Sequence, residues 1–273
     1  MIDIQAGEDR RGIVLPEVGI SGLRHYVLTG DATNQRHIVA TLDLAVALQA
    51  DRRGTHMSRL VEIALEHEDD LTLAKLPVVA KRLLAHLDAD AGSLKVAFPL
   101  VSQQASPVTR RRATNVHDVV MTVRQEGDEV VLDLHVEVVA TSLCPCSKAI
   151  SDYGAHNQRS RVGIGVTVGG GDGLTRLPSL DDLVRWAEGA CSCPVFPLLK
   201  RPDEQYVTER AYENPVFVED IARTLAIQLQ RLEGPGEYRV HVLNEESIHR
   251  HDAYARVDGT LSRPDLAEDA EAG

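Results

Sequence analysis

The stretch TSLCPCSKAISDYGAHNQRS, residues 141–160, gathers two thiols, Cys144 and Cys146, an imidazole, His156, and the basic side chains of Lys148 and Arg159. A thiolate and an imidazole are donors that Zn²⁺ or a similar divalent ion accepts. A catalytic ion needs one further protein ligand and a position left open for water. The same two residues also read as a buried cysteine and a polar loop histidine, and the stretch alone leaves both readings open. Carboxylates of the C-terminal third supply the missing donor type. Glu204 stands in the polar stretch KRPDEQ, read as a loop. Glu219 falls in the second turn of a helix, at the border of its apolar stripe. A solvated flank is the plain reading there, while a carboxylate turned into a pocket would accept two parallel N–H bonds from a guanidine-like ring edge. Glu246 and His249 lie three apart, on one face if that segment is helical, with His251 close by.

Basic residues come in short runs, Arg110 to Arg112 and Lys200 with Arg201. Each could bind phosphate, although surface solvation is the common fate of any one of them. There is no Walker loop and no Rossmann glycine pattern to hold a nucleotide in those ways.

The elements that must position these residues follow from periodicity. In EVVLDLHVEVVA, Val130, Leu132, Leu134, Val136 and Val138 alternate with Asp133, His135 and Glu137 on the other face, and Val162, Ile164, Val166 and Val168 alternate in a second run. Paired antiparallel, the two strands place Cys144 at the end of the first and His156 at the start of the second, in one loop mouth. Upstream, a poorly packed lead-in of residues 1–18 is followed by strands at GLRHYVLT and RHIVATLDLAVAL, order beginning near Gly19. Two helices come next, marked by Met57, Leu60, Val61 and Ala64 and by Leu73, Leu76, Ala80, Leu83, Leu84 and Leu87, with Pro77 kinking the second or delaying its start. Strands at SLKVAFPL and NVHDVVMTV complete a ββααββ order. After the hairpin, a short helix LDDLVRWAEGA and a longer one, capped by Asn214 and Pro215 and lined by Val218, Ile221, Leu225, Leu229 and Leu232, precede strands at EYRVHVLN and, weakly, DAYARVDG. The order repeats, with its boundary near Gly127: residues 19–127, then 128–262, then an acidic tail, 263–273, read as disordered. Helices pack on one face of each antiparallel sheet in this α+β arrangement, and the open face and free edges invite assembly of copies.

Composition narrows the function classes. With 29 basic and 41 acidic residues the net charge of the 273-residue chain is −12, which argues against a nucleic-acid partner or an anionic membrane surface. The first residues carry no apolar secretory core and no run reaches membrane-spanning length, so the expected location is cytoplasmic. Four cysteines, as Cys144-Pro-Cys146 and Cys191-Ser-Cys193, then predict free thiols, and single-residue spacing suits structural zinc knuckles poorly.

Four strings, GTHMSR at 54–59, TSLCPCSKAISDYGAHNQRS, FPLLKRPDEQYVTERAYENPVFVED and NEESIHRHDAYA, closely resemble the prokaryotic GTP cyclohydrolase IB family, over a span from about Gly19 to Tyr254. The resemblance implies the tunnelling fold, two tandem ββααββ modules assembled into a homotetramer with sites at subunit interfaces. It further implies metal-dependent hydrolysis of GTP to 7,8-dihydroneopterin triphosphate and formate, the entry to folate-type pterins, with Zn²⁺ or Mn²⁺. Carried over by position, Cys144 and His156 match the metal pair and Glu204 the third ligand. Glu219 matches the carboxylate that anchors the guanine edge, and Glu246 and His249 match acid/base positions near the reacting ring. Cys146, Cys191 and Cys193 receive no role. Two rivals are a nitrile reductase of queuosine synthesis, which uses a cysteine nucleophile with NADPH, and a non-catalytic zinc-binding assembly module with a closed metal shell.

Overall fold

The computed structural model describes residues 5, 7–29, 36–67, 71–170 and 173–262. The acidic tail expected to be disordered lies outside the described residues. In chain order the elements are β1 (Leu15–Thr29), β2 (Arg36–Leu48), α1 (Met57–Glu66), α2 (Leu76–Leu87), β3 (Ala91–Ala105), β4 (Arg112–Glu126), β5 (Glu129–Leu143), α3 (Pro145–Ile150) and β6 (Asn157–Gly169). They continue with α4 (Gly173–Arg176), α5 (Leu180–Ala190), β7 (Cys193–Pro194), α6 (Arg201–Glu213), α7 (Val218–Leu229), β8 (Gly236–Glu245) and β9 (Ala253–Thr260). No helix among the described residues is long and apolar enough to cross a membrane.

The chain divides into two compact units. One comprises Met1–Pro99, Val120–Leu134 and Gly169–Leu174; the other comprises Leu100–Val119, His135–Val168 and Thr175–Gly273. In the first, β1 pairs antiparallel with β2 and β2 with β3. Strand order begins at Leu15, earlier than the glycine at 19, and β1 reaches its register through irregularities between Leu15 and Val18 and between Ile20 and Leu23. At Gly19 a Cβ would stand 1.9 Å from the Leu44 carbonyl oxygen, so the close approach of the two strands requires glycine. Helix α1 buries Leu60, Ile63 and Ala64. Pro77 occupies the first turn of α2, where its missing N–H costs no hydrogen bond, so it sets the start of the helix without kinking it.

In the second unit β6, β8 and β9 form antiparallel ladders in which Val162 faces Val242, Ile164 faces Val240 and Val166 faces Tyr238. These side chains are buried, as are Leu225 and Leu229 of α7, which packs on β8 and β9 with α5 beside it. One face of the ladder is therefore apolar and covered by helices. The opposite face keeps half-buried polar residues, His135 and Glu137 among them, and Arg161 bridges Glu137 at 3.0 Å and Glu245 at 2.6 Å across the strands.

Several local expectations are corrected. Glu204 lies on helix α6, not in a loop. Asn214 ends that helix as its C-cap and does not begin the next; α7 starts at Val218, where the Asp220 carboxylate accepts the Phe217 N–H at 3.1 Å. Glu219 accordingly sits in the first turn of α7, not the second. The segment carrying Glu246 and His249 is a non-helical connection between β8 and β9, so the two do not share a helix face. The last strand, read as weak, pairs with β8 from Ala253 to Thr260.

Candidate functional site

Strand β5 ends at Leu143 and β6 begins at Asn157, so Cys144 and His156 occupy the two sides of one loop mouth, joined directly by the Cys144 N–H donating to the His156 carbonyl at 3.1 Å. Pro145 at the first helical position makes Cys144 the N-cap of the short α3, and its Sγ accepts the Ser147 N–H at 3.4 Å. Ser147 does more than cap. Its hydroxyl donates to the Cys144 carbonyl at 3.1 Å and accepts the His156 N–H at 3.3 Å, bracing both sides of the mouth.

The remaining residues arrive through bonds to this hairpin. The Ser247 hydroxyl lies 3.1 Å from His156 Nδ1, which brings the connection bearing Glu246 and His249 to the imidazole and leaves Nε2 presented. The Glu246 N–H donates to Asp252 at 3.1 Å, and the His249 and His251 rings stack at 5.1 Å, so that connection is internally ordered. Glu219 follows from the Val216 N–H, which donates to the Leu143 carbonyl at 3.2 Å and pins the start of α7 beside Cys144. Lys148 of α3 donates to the Tyr212 carbonyl and lies 4.3 Å over the Tyr212 ring, tying the hairpin to the C-terminal end of α6.

Glu204 is exposed near the other end of α6, eight residues before Tyr212. At a 1.5 Å rise per residue that places it about 12 Å along the helix axis from the contact with the hairpin. Among the described residues no group of three or more His, Cys, Asp or Glu side chains is placed to hold a metal ion. The structure thus joins Cys144 and His156 in one mouth, ties to it the segments that carry Glu219, Glu246 and His249, and leaves Glu204 eight residues along α6 from the contact with the hairpin. The donor chemistry still fits a divalent ion: Cys144 is half-buried, its sulfur is turned by a backbone amide, and His156 has one ring nitrogen oriented by a hydroxyl and the other available.

Cys191 and Cys193, given no role from the sequence, are buried. Burial pushes the Cys191 thiol up to about 12, with the nearby Glu188 adding to the effect, and burial raises Cys193 as well. Between them the Ser192 hydroxyl accepts the Leu143 N–H at 2.9 Å, and the Asn214 side chain donates to the carbonyls of Cys191 and Ser192 at 3.1 and 3.3 Å. The segment is a structural brace behind Cys144. The residues that sequence reasoning missed are Ser147, Ser247 and Ser192, together with Asp203, a fully buried carboxylate next to Glu204. Only Ser147 carried a local signal, as the third residue of a Cys-Pro helix start.

A protein-family model described as type I GTP cyclohydrolase folE2 matches residues 1–255. The GTP cyclohydrolase FolE2 of Bordetella pertussis is 44% identical over 262 residues, 95% of this chain and 96% of that protein. The FolE2 of Nitrosococcus oceani is 41% identical over 257 residues, 94% of each. Among solved structures, uricase from Arthrobacter globiformis superposes over 96% of each chain with a TM-score of 0.51 at 9% identity, a likeness of fold alone. The motif resemblance to the IB family and this match agree on the activity and differ only in the name. With the family model covering most of its length, and relatives well over a third identical across nearly all of it, the chain belongs to the type I GTP cyclohydrolase FolE2 family.

Proposed function

We infer that this protein is a GTP cyclohydrolase that hydrolyses GTP to 7,8-dihydroneopterin triphosphate and formate. The observation that carries the reading is the hairpin: the family's motif positions Cys144 and His156 share one mouth, and independent hydrogen bonds deliver the elements bearing Glu219, Glu246 and His249 to it. The element order supports a tunnelling fold of two ββααββ modules, divided by order of elements at the β4–β5 turn near Gly127. We place the reaction in the cytoplasm, on the charge and thiol usage of the sequence.

Cys144 and His156 would hold a divalent ion, Zn²⁺ or Mn²⁺, with Glu204 as third ligand. Glu204 joins them from a neighbouring copy of the chain in a homotetramer, because it is exposed and far along α6 from its own hairpin. The bound ion supplies water activated near neutral pH. Glu219 offers two acceptor oxygens to the paired N–H groups of the guanine edge, which fixes the pyrimidine ring while the imidazole ring opens. His249 protonates guanine N7, and Glu246 takes the proton that the attacking water loses as it adds to C8. Cys144→Ala protein reconstituted with Mn²⁺ is expected to release almost no formate from GTP; near-normal turnover would remove Cys144 from the site.

A further inference from the structure

The two basic runs of the sequence, ninety residues apart, are drawn together by one buried carboxylate. Asp203, fully buried in the first turn of α6, accepts the N–H groups of Val108 at 2.9 Å and Thr109 at 2.8 Å on one oxygen. On the other it accepts the Thr109 hydroxyl at 2.6 Å and the Lys200 N–H at 2.9 Å. Burial alone would raise this carboxyl; the donors from Thr109, Lys200 and Val108 outweigh it and hold the group far below the ordinary aspartate value. Inside the turn, the Ser106 hydroxyl lies 2.9 Å from the Thr109 hydroxyl and accepts the Arg111 N–H at 3.0 Å. Ser106 N–H donates to the Arg111 carbonyl at 2.9 Å. This closed turn holds Arg110 at φ 55°, a left-handed conformation that a non-glycine residue adopts only when its surroundings fix it.

The result is an exposed cationic surface made of Arg110, Arg111, Arg112, Lys200 and Arg201. Among the described residues none of these five side chains has an ion pair or hydrogen bond, although most arginines elsewhere in the chain are paired, Arg161 with two glutamates among them. In a chain of net charge −12 such a patch is a local exception that attracts a polyanion. It adjoins Glu204 in sequence, so it travels with that residue. We propose that this Asp203-tethered patch holds the triphosphate of GTP, its guanidinium groups forming paired bonds to phosphate oxygens. The proposal rests on the cyclohydrolase reading for its substrate, with Asp203 as a positioning residue that sets the turn.

The test uses the intact, metal-loaded protein with the double variant Arg110→Ala/Arg201→Ala, whose side chains make no bond among the described residues, so that folding is expected to be kept. The KM for GTP and the inhibition constant of inorganic tripolyphosphate are expected to rise about 10- to 100-fold, the size of one or two lost charge-assisted contacts. The inhibition constant of guanosine and the bound metal are expected to stay unchanged. Asp203→Asn should give the same selective loss with every arginine present, a phosphate-dependent change that a general loss of structure does not produce. An unchanged KM for GTP in the double variant, or equal weakening of guanosine and tripolyphosphate, overturns the proposal. Its failure is separable from that of the metal reading: near-normal turnover in Cys144→Ala removes the metal pair and leaves a selective loss of tripolyphosphate binding standing.

Discussion

Ser147→Ala removes one hydroxyl that holds both proposed metal ligands, and its effect follows from two contacts. The hydroxyl donates to the Cys144 carbonyl at 3.1 Å and accepts the His156 N–H at 3.3 Å. A neutral hydrogen bond contributes about 0.5–1.5 kcal/mol net, and lengths beyond 3 Å put both near the lower half of that range. The pair therefore contributes about 1–2 kcal/mol, a factor of about 5–30 in how often the mouth holds its binding geometry. Because both ligands must be placed together, metal affinity should fall by that factor while the fold persists. Titration with Co²⁺ reads this directly, through the thiolate-to-cobalt absorption band, and chelator competition gives the affinity. Ser147→Thr keeps the hydroxyl and should restore most of it. An Ala variant that is folded and binds Co²⁺ as tightly as the parent would refute the claim that this hydroxyl organises the pair.

Three further outcomes are expected. Glu219→Gln should lose GTP affinity by about 10-fold or more while keeping its metal, since one charged acceptor of a paired contact becomes a donor; metal loss would move Glu219 into the ion's shell. In native protein a thiol reagent should label the exposed Cys146 and the half-buried Cys144 and spare Cys191 and Cys193, which burial keeps as neutral thiols, and added Zn²⁺ should protect Cys144 alone; rapid labelling of all four would contradict the brace. Because the folded-state carboxyl of Asp203 is depressed, its contribution to stability is present above the ordinary value of 3.8 and is lost as pH falls below it. Denaturant titrations of parent and Asp203→Asn protein should differ by a constant amount at neutral pH and converge under strongly acid conditions; a gap that widens with acid would reverse the sign of the argument.

What the sequence showed was what periodicity can carry. The alternation in β5 and β6 fixed the hairpin, and the apolar stripe of α7 was read from Val218 to Leu229, with Leu232 falling past the helix end, because each buries a continuous face. Helix α6 escaped for the opposite reason. It buries only Asp203 and Ala211, so RPDEQYVTERAYE has no apolar period, although a proline followed by two acids at its start is the usual opening of a helix. Asn214 with Pro215 resembles a helix start just as well as it serves as a helix end, and its backbone N–H, donating to the Arg210 carbonyl at 3.1 Å, decides between them. Asp203 and Glu204 are neighbouring acids in the sequence. Asp203 is buried because its partners at Val108 and Thr109 lie more than ninety residues away, and no local pattern announces such a bond.

The same distinction explains how a loop can present the proposed ligand Cys144 with precision. A loop is ordinarily the mobile part of a fold, and a metal ligand on one must be fixed from behind. Leu143, the residue before Cys144, is held on both sides: its N–H donates to the Ser192 hydroxyl and its carbonyl accepts the Val216 N–H. Ser192 is held in turn by Asn214, which lies two residues before Val216, so the Cys-Ser-Cys segment, the end of α6 and the start of α7 close a ring around the last residue of β5. The buried cysteines flanking Ser192 pack this ring. Cys144 thus inherits the rigidity of β5 rather than the freedom of the loop it opens, and Ser147 and Ser247 extend that rigidity across to His156.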